Sequence, residues 1–372
     1  MNYCCDRALS CARLPCVFRT PKDKRAGRKK VDASQPVTLR DLANHLGLSP
    51  ATVSLVINRS PSAVSIPRGT QERVLAAAQA LNYKPNIFAR SLRKQRSFTI
   101  GVLVPEVSEG YAATVLSGIE DHLLQEGYFY FVVSHRHRSD LIDEYPRLLM
   151  SRAVEGLIAV DTPLERGLPL PTVAISGHQH VKGITNIVLN HRRAVAMAIE
   201  HLHGLGHRRI AFIKGQQFSS DTAARWSAIC AAATKLGVKV SPKLTAQLEG
   251  DSPSPEPGYF ATQKLLAGAQ PFTALFCFND ISALGAIRAL REAGLRVPQD
   301  VSVVGFDDIQ AAAFQNPGLT TVRQPLRKMG VIAAQTVLNR IQSGSTVSHA
   351  DQINVEAELI VRGSTGIPRK TS

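Results

Sequence analysis

The stretch VTLRDLANHLGLSPATVSLVIN, residues 37–58, has the pattern of two short helices joined by a tight turn. Thr38 can cap the first helix, and Gly47 suits the left-handed conformation that often ends one. Ser49 and Pro50 suit the start of the second helix. Apolar residues recur at helical spacing in both segments, at Leu39, Leu42, Ala43 and Leu46 and at Val53, Val56 and Ile57.

A third helix is predicted from Thr70 to Leu81. Its inward residues are predicted to be Val74, Leu75, Ala78 and Leu81. Two short helices with a Gly-containing turn and a third supporting helix predict an all-α helix-turn-helix domain over residues 37–84.

The positive charge of the chain is concentrated in its first quarter. Residues 1–97 contain 18 Lys and Arg against 5 Asp and Glu, so they carry +13 of the net charge of +15. Such a basic block favours a nucleic-acid partner. An anionic membrane surface is the alternative, and the pattern of the helices argues against it. Residues 1–36 are predicted to be a disordered basic arm. Zinc binding by its four cysteines is an alternative, but their spacing lacks paired CxxC motifs.

From residue 98 onward the pattern becomes that of an α/β domain. Residues 85–97 are predicted to form a hinge helix and linker, and residues 366–372 a loose tail. Between them, apolar strand-like runs alternate with helical patterns; these runs are TIGVLVP, FYFVVS, GLIAV, TVAIS, IAFIKG, ALFCF and VSVVGFD. Their number predicts two Rossmann-like lobes of the periplasmic-binding-protein type, over residues 98–365.

In a helix-turn-helix, the second helix enters the major groove of DNA. Pro50, Ala51 and Leu55 lie on its outer side, with short polar side chains beside them. The candidate DNA contacts are Thr38, Ser49, Pro50, Ala51, Thr52, Ser54, Leu55 and Asn58, with Asn86, Ala89, Arg90 and Leu92 in the hinge. The alternative, a helical pair that only packs on a neighbouring domain, does not account for the basic charge.

The same segment, followed by LNYKPNIFARSL, resembles the lactose-repressor family of bacterial regulators, and the similarity extends over residues 37–365. The similarity continues in three later segments, GLGHRRIAFI, FCFNDISALGAIRALREAGLRVPQDVSVVGFDD and LTTVRQP. The resemblance implies a homodimeric repressor on a near-palindromic operator. It also implies that Leu92 is the leucine inserted into the minor groove. Leu55 departs from the family, which often has Arg or His there; Leu55 and Ala51 can contact only thymine methyl groups.

Polar residues follow three strands of the effector domain, at the edge where open α/β sheets bind ligands. They include Arg225, Asn279 and Asp307, which can bind neighbouring hydroxyls of a sugar. By the resemblance these three residues and Gln324 line the effector cleft, and Tyr111 and Asn190 complete the candidate set. As alternatives, Arg225 could pair with Asp307, Asp280 and Asp308 could cap helices, and Trp226 could be packing.

The effector is expected to be a sugar or sugar derivative, because the family mostly binds sugars. A purine is the alternative. Ser219 stands where the purine-binding branch has arginine, and Ala112 replaces its second aromatic residue, which disfavours purines. Asn190-His191 departs from the Asp-Asn common in the family. Effector binding is expected to change dimer geometry and so fold or melt the hinge.

The sequence lacks the motifs of several enzyme classes. No GxSxG, HExxH or GxxxxGK[ST] motif occurs, so neither catalysis nor a metal or cofactor is expected. No run of 18 apolar residues and no secretory signal is present, so a cytoplasmic, nucleoid-associated protein is expected. A periplasmic sugar-binding protein, the remaining rival, would have no use for residues 37–97.

Overall fold

A computed structural model describes residues 37–84, 95–108, 110–177, 179–268, 270–343 and 350–369. The chain divides into two compact units, Met1–Arg90 and Ser91–Ser372. The predicted arm and four candidate DNA contacts in the hinge (Asn86, Ala89, Arg90 and Leu92) lie outside the described residues.

The first unit contains the predicted helix-turn-helix. Its helices are α1 (Leu39–Leu46), α2 (Pro50–Ile57) and α3 (Arg68–Ala80), and a 3₁₀ turn, Pro61–Ser65, precedes α3. Thr38 forms a capping box with Asp41, and Gly47 ends α1 with a φ of 65°. Ser49 caps α2 by accepting a hydrogen bond from the amide of Thr52. The start and stop signals read from the sequence are therefore confirmed.

Five side chains form the buried core of this unit: Leu42, Ala43, Val53, Val56 and Val74. Ala78 and Leu81 pack against this core, as predicted. Leu75 does not, since 48% of it is exposed, and its predicted inward position is wrong. Adjacent helical residues point about 100° apart, so in a domain with so small a core Val74 turns inward while Leu75 faces solvent.

The second unit contains two lobes, each built on a six-stranded sheet. The first-lobe sheet has the order β11-β5-β4-β3-β1-β2, and the second-lobe sheet has the order β12-β10-β9-β8-β6-β7. Neighbouring strands are parallel except for the antiparallel pair β10 and β12. The strands are β1 (Thr99–Val104), β2 (Phe129–Ser134), β3 (Gly156–Val160), β4 (Thr172–Ile175), β5 (Ile184–Leu189), β6 (Ile210–Lys214), β7 (Thr245–Gln247), β8 (Ala274–Phe276), β9 (Ser302–Asp307), β10 (Thr320–Arg323), β11 (Gln352–Val355) and β12 (Glu358–Ile360).

Helices cover the sheets, as parallel strands require. They are α4 (Gly110–Gln125), α5 (Ser139–Ser151), α6 (His191–Gly204), α7 (Ser220–Lys235), α8 (Glu256–Ala267), α9 (Asp280–Glu292), α10 (Gln310–Phe314) and α11 (Leu326–Ser343). None of the helices within the described ranges is long and apolar enough to span a bilayer. The predicted α/β architecture with two lobes is confirmed.

The chain passes between the lobes three times. It leaves the first lobe after β5, returns to it after β10, and crosses again between β11 and β12. The first and third crossovers touch each other, because the amide of Asn190 donates to the carbonyl of Val355, and its Nδ2 donates to Oε1 of Glu356 at 3.1 Å. Gln324 lies at the second crossover.

In each lobe one pair of helices packs backbone against backbone through glycines. Gly118 of α4 lies over Arg327, and Gly330 of α11 lies over Val115, so that a Cβ atom at either glycine would overlap the backbone of the other helix. Gly258 of α8 and Gly285 of α9 have the same relation in the second lobe. Glycine is needed at these positions because no side chain fits between the helices.

The end of the predicted effector domain and the first residue of the predicted tail are held firmly in the second lobe. Ser364 is fully buried, and its hydroxyl donates to the carbonyl of Val303 at 2.6 Å. Gly366 donates to Oγ of Ser302, and its carbonyl lies 2.9 Å from Nε2 of His207. Residues 366–372 are predicted to be a loose tail; Gly366, the first of them, is instead bonded to the second lobe.

Candidate DNA-binding surface and effector cleft

Helix α2 carries no charged residue. Pro50 and Ala51 are exposed, and Leu55 is partly exposed, on the side away from the buried Val53 and Val56. The outward surface of this helix is therefore largely apolar.

The polar side chains around this surface bond to one another. Ser49 Oγ and Thr52 Oγ1 are 2.9 Å apart, and Asn58 Nδ2 donates to the carbonyl and hydroxyl oxygens of Ser54. Thr38 donates to Asp41 at 2.6 Å, and this hydrogen bond is the main cause of the lowered pKa of Asp41. These residues cap or brace the helices, whether or not they also contact DNA.

A cleft lies between the two lobes of the second unit, at the carboxyl ends of the strands. Its volume is about 790 Å³, including space open to solvent. Tyr111, Arg225, Asn279 and Asp307 all line it. Gln324 lies behind Asp307 and donates to its Oδ1 at 2.7 Å. Five of the six residues predicted for the effector site are thus brought together.

Only 2% of Arg225 is exposed, and four contacts fix its guanidinium. It donates to Asp221 at 2.7 Å and to the carbonyl of Phe278 at 2.6 Å. Its guanidinium carbon lies 4.3 Å from the ring centroid of Phe278 and 3.9 Å from that of Phe306. The ion pair considered from the sequence, Arg225 with Asp307, is replaced by one with Asp221.

Two polar atoms beside the cleft are buried without a hydrogen-bond partner among the described residues. They are Nε of Arg225 and Oε1 of Gln324. Buried polar groups are almost always satisfied in folded proteins. In this arrangement of the side chains, one donor and one acceptor next to the cleft thus lack a partner among the described residues.

Carboxylates dominate the electrostatics of the cleft. Burial raises the pKa of Tyr111 well above its usual value, and the charges of Asp221, Asp161 and Asp307 raise it further. The phenol therefore stays protonated, with its oxygen 2.9 Å from Oγ of Ser176.

Asn190 lies apart from this set. It caps α6 and bonds to Glu356 at the lobe crossover, and it does not line the cleft. The next residue, His191, places Nε2 3.3 Å from Asp221, so the crossover is linked to the Arg225 ion pair. The candidate role of Asn190 in effector contact does not fit this placement.

The structure also corrects the cap roles considered for two other residues, Asp280 and Asp308, and agrees with the packing role considered for Trp226. Asn279, not Asp280, caps α9. Asp280 is buried and accepts hydrogen bonds from Thr321 and from the amide of Ile309, and burial raises its pKa. Asp308 does not cap α10; it pairs with Arg323 and Arg362. Trp226 packs edge-to-face on Phe212, as its packing interpretation proposed.

The contacts between the two lobes were not predicted from the sequence. Ser220 of the second lobe donates through Oγ to Asp161 of the first lobe at 2.7 Å and also to the carbonyl of Ser176. His137 and Phe218 stack across the cleft, with their ring centroids 3.8 Å apart. Asp161 directly follows β3 and Ser176 directly follows β4, and this position at the carboxyl end of a strand was the signal that could have identified them.

Comparison with known proteins agrees with this geometry. Residues 38–86 match the family described as bacterial regulatory proteins, lacI family, and residues 199–365 match the periplasmic binding protein-like domain. The HTH-type transcriptional repressor PurR of Haemophilus influenzae is 33% identical over 337 residues, which is 88% of this chain and 98% of that relative. The chain belongs to the LacI family.

Solved structures of LacI-family regulators share the fold. The Lac repressor dimer bound to operator and the anti-inducer ONPF superposes with a TM-score of 0.77 at 28% identity, covering 89% of this chain and all of that one. The regulator CelR in complex with cellobiose gives a TM-score of 0.62 at 27% identity, covering 88% and 99% of the two chains. The present LacI-family chain is a DNA-binding transcription regulator with an effector-binding domain.

Proposed function

We propose that this regulator is a homodimeric repressor that binds a near-palindromic operator and is controlled by an uncharged, sugar-like molecule in the interlobe cleft. The DNA contacts are those predicted in the helix-turn-helix and the hinge. The observation that carries the effector assignment is the convergence of Arg225, Asn279 and Asp307 on one cleft. The protein is not an enzyme, needs no cofactor, and acts in the cytoplasm.

The chemistry of the cleft suits a polyol. Each hydroxyl both donates and accepts, so it can accept from the guanidinium of Arg225 and donate to the carboxylate of Asp307, both of which line the cleft. Asn279 supplies an amide that can do both. The phenol of Tyr111 forms part of the wall.

The charge of the cleft disfavours anionic ligands. Its described lining includes the carboxylates Asp161, Asp221, Asp251 and Asp307 against one guanidinium, that of Arg225, which already pairs with Asp221. A phosphate group would be repelled by the excess negative charge in this partly buried space. An uncharged sugar is therefore favoured over a sugar phosphate.

A purine effector is the second candidate, because the curated relatives are named PurR. Tyr111, Phe218 and Phe278 line the cleft and offer aromatic surface to a base. Ser219 also lines the cleft, whereas Ala112 is buried in the core and cannot contact a ligand there. The identity of Ala112 therefore gives no evidence against a purine effector.

The test begins with selection of genomic fragments bound by the full-length protein. Operator binding is then measured with neutral mono- and disaccharides, the phosphate ester of each active sugar, and purine bases. We expect a neutral sugar to change operator affinity and its phosphate ester to have no effect. Response to purine bases alone would replace the sugar assignment, and failure to select any fragment would overturn the whole proposal.

Dimer formation is supported by exposed aromatic surface on the edge strand β2. Phe129 is 62% exposed and Phe131 39% exposed, and their rings meet edge-to-face at 5.4 Å on one side of the strand. An exposed apolar patch on an edge strand marks an interaction surface. A second copy of the chain is the partner that the predicted palindromic operator requires.

Replacing both Phe129 and Phe131 by lysine is expected to convert the dimer to monomer, because four charges would meet at the interface. Sedimentation velocity measures the mass, and operator affinity should fall with it. Ile367→Lys is the matched control, because Ile367 is 78% exposed in the C-terminal segment and should leave the mass unchanged. A double variant that remains dimeric would place the interface elsewhere.

A further inference from the structure

We propose that Leu55 and Ala51 recognise the C5-methyl groups of thymines, so that methyl contacts rather than hydrogen bonds specify the operator half-site. The inference rests on the proposed placement of α2 in the major groove. It assigns a chemical basis for sequence discrimination to two residues that carry no polar group.

The position of these residues follows from helix geometry. Residues four apart lie on the same face, so Ala51 and Leu55 are neighbours on the surface of α2. Val53 and Val56 point into the core of the domain and fix which face is outward. Ala51 is exposed and Leu55 is partly exposed, so both are accessible to a ligand.

The hydrogen-bonding groups beside them are engaged along the helix. Ser49 bonds to Thr52, and Asn58 donates twice to Ser54. Helix α2 contains no Arg, Lys, Gln, Asn or His, the side chains that read guanine and adenine by donating to their major-groove edges. The outward face of α2 therefore presents mainly carbon atoms to the edges of the bases.

Thymine is the one base of unmodified DNA that presents a methyl group in the major groove. Four residues of helix rise about 6 Å, and base pairs are spaced about 3.4 Å apart. Ala51 and Leu55 can thus contact methyl groups on adjacent or next-but-one base pairs. Burying one methyl group against an apolar side chain changes affinity roughly fourfold.

The charge distribution fits a duplex as the occupant of this face. Residues 1–97 carry +13, and none of that charge lies in α2. Attraction to phosphates then comes from the surrounding residues and is independent of sequence, while α2 contributes discrimination.

The experiment uses the full-length protein and a selected operator. Each thymine of one half-site is replaced in turn by deoxyuridine, which removes only the methyl group, and binding is measured by fluorescence anisotropy. We expect one or two positions per half-site at which affinity falls roughly fourfold, and roughly fifteenfold when both half-sites are changed. At those positions 5-methylcytosine paired with guanine should bind better than unmodified cytosine.

Leu55→Ala identifies the residue responsible. Because Leu55 lies outside the core of the domain, the variant should fold, and it should lose sensitivity to uracil at one position while keeping it elsewhere. Leu75→Ala is the matched control: Leu75 is an exposed leucine of α3, and its loss should leave the uracil profile unchanged. Uracil tolerated at every position, with an operator still selected, would overturn this inference and leave the proposed function standing.

Discussion

Replacing Arg225 by methionine is expected to lower the free energy of unfolding of the effector domain by about 3–5 kcal/mol. The substitution leaves the carboxylate of Asp221 buried without its guanidinium partner, which lies 2.7 Å away. It also removes the one guanidinium among the described residues that line the cleft, so operator binding should no longer respond to the effector. Trp226, the single tryptophan, is the next residue, and its fluorescence reports urea unfolding of this lobe.

A second variant separates stability from binding. Adding Asp221→Asn to Arg225→Met removes the orphaned charge, so the double variant should recover about half of the lost stability or more. It should still fail to respond to the effector, because the guanidinium that lines the cleft is absent. Recovery of the effector response in the double variant would show that Arg225 acts only through stability.

Gly330→Ala is expected to lower the free energy of unfolding by about 1–3 kcal/mol, although alanine favours a helix over glycine. A Cβ atom at this position would overlap the backbone of α4 near Val115. Helices α4 and α11 would have to separate and leave gaps in the first lobe. Thermal unfolding followed by circular dichroism should show a midpoint several degrees lower.

Gly204→Ala is the matched control for that prediction. Gly204 is the last residue of α6, and no atom lies within 4 Å of an added Cβ. This variant should be unchanged or more stable by about 0.5–1 kcal/mol, because alanine loses less backbone entropy. The two substitutions are chemically identical, so shifts of the same sign would contradict the close helix packing described for the first lobe.

The elements with strong local signals could be predicted from sequence. The helix-turn-helix boundaries followed from Thr38, Gly47 and Ser49, whose roles depend on residues at most three positions away. Seven strands were predicted because each is a short apolar run. Five were not: β5 contains Thr185 and Asn186, and β7, β10, β11 and β12 are short and also carry polar or charged residues. Short or polar strands are defined by their pairing partners, which lie far away in the chain.

Several of the residues that line the cleft were predicted, but the hydrogen bonds and ion pairs among them were not. Strand ends and family resemblance indicated Arg225, Asn279 and Asp307, since parallel strands end at a common edge. The choice of Asp221 as the partner of Arg225 and the bond from Ser220 to Asp161 depend on how two lobes meet. Asn190 was misplaced for the same reason, because a residue next to a strand end can face the connection as readily as the cavity.

The three passages of the chain between the lobes restrict how this domain can respond to a ligand. Two bodies joined by three adjacent covalent tethers resist sliding past each other, so their easy movement is a rotation about the line of those tethers. Asn190 joins two of the tethers through Glu356 and lies on that line. A molecule that contacts both lobes therefore favours one angle between them. For a small change in that angle, the end of each lobe far from the tethers moves further than the end near them.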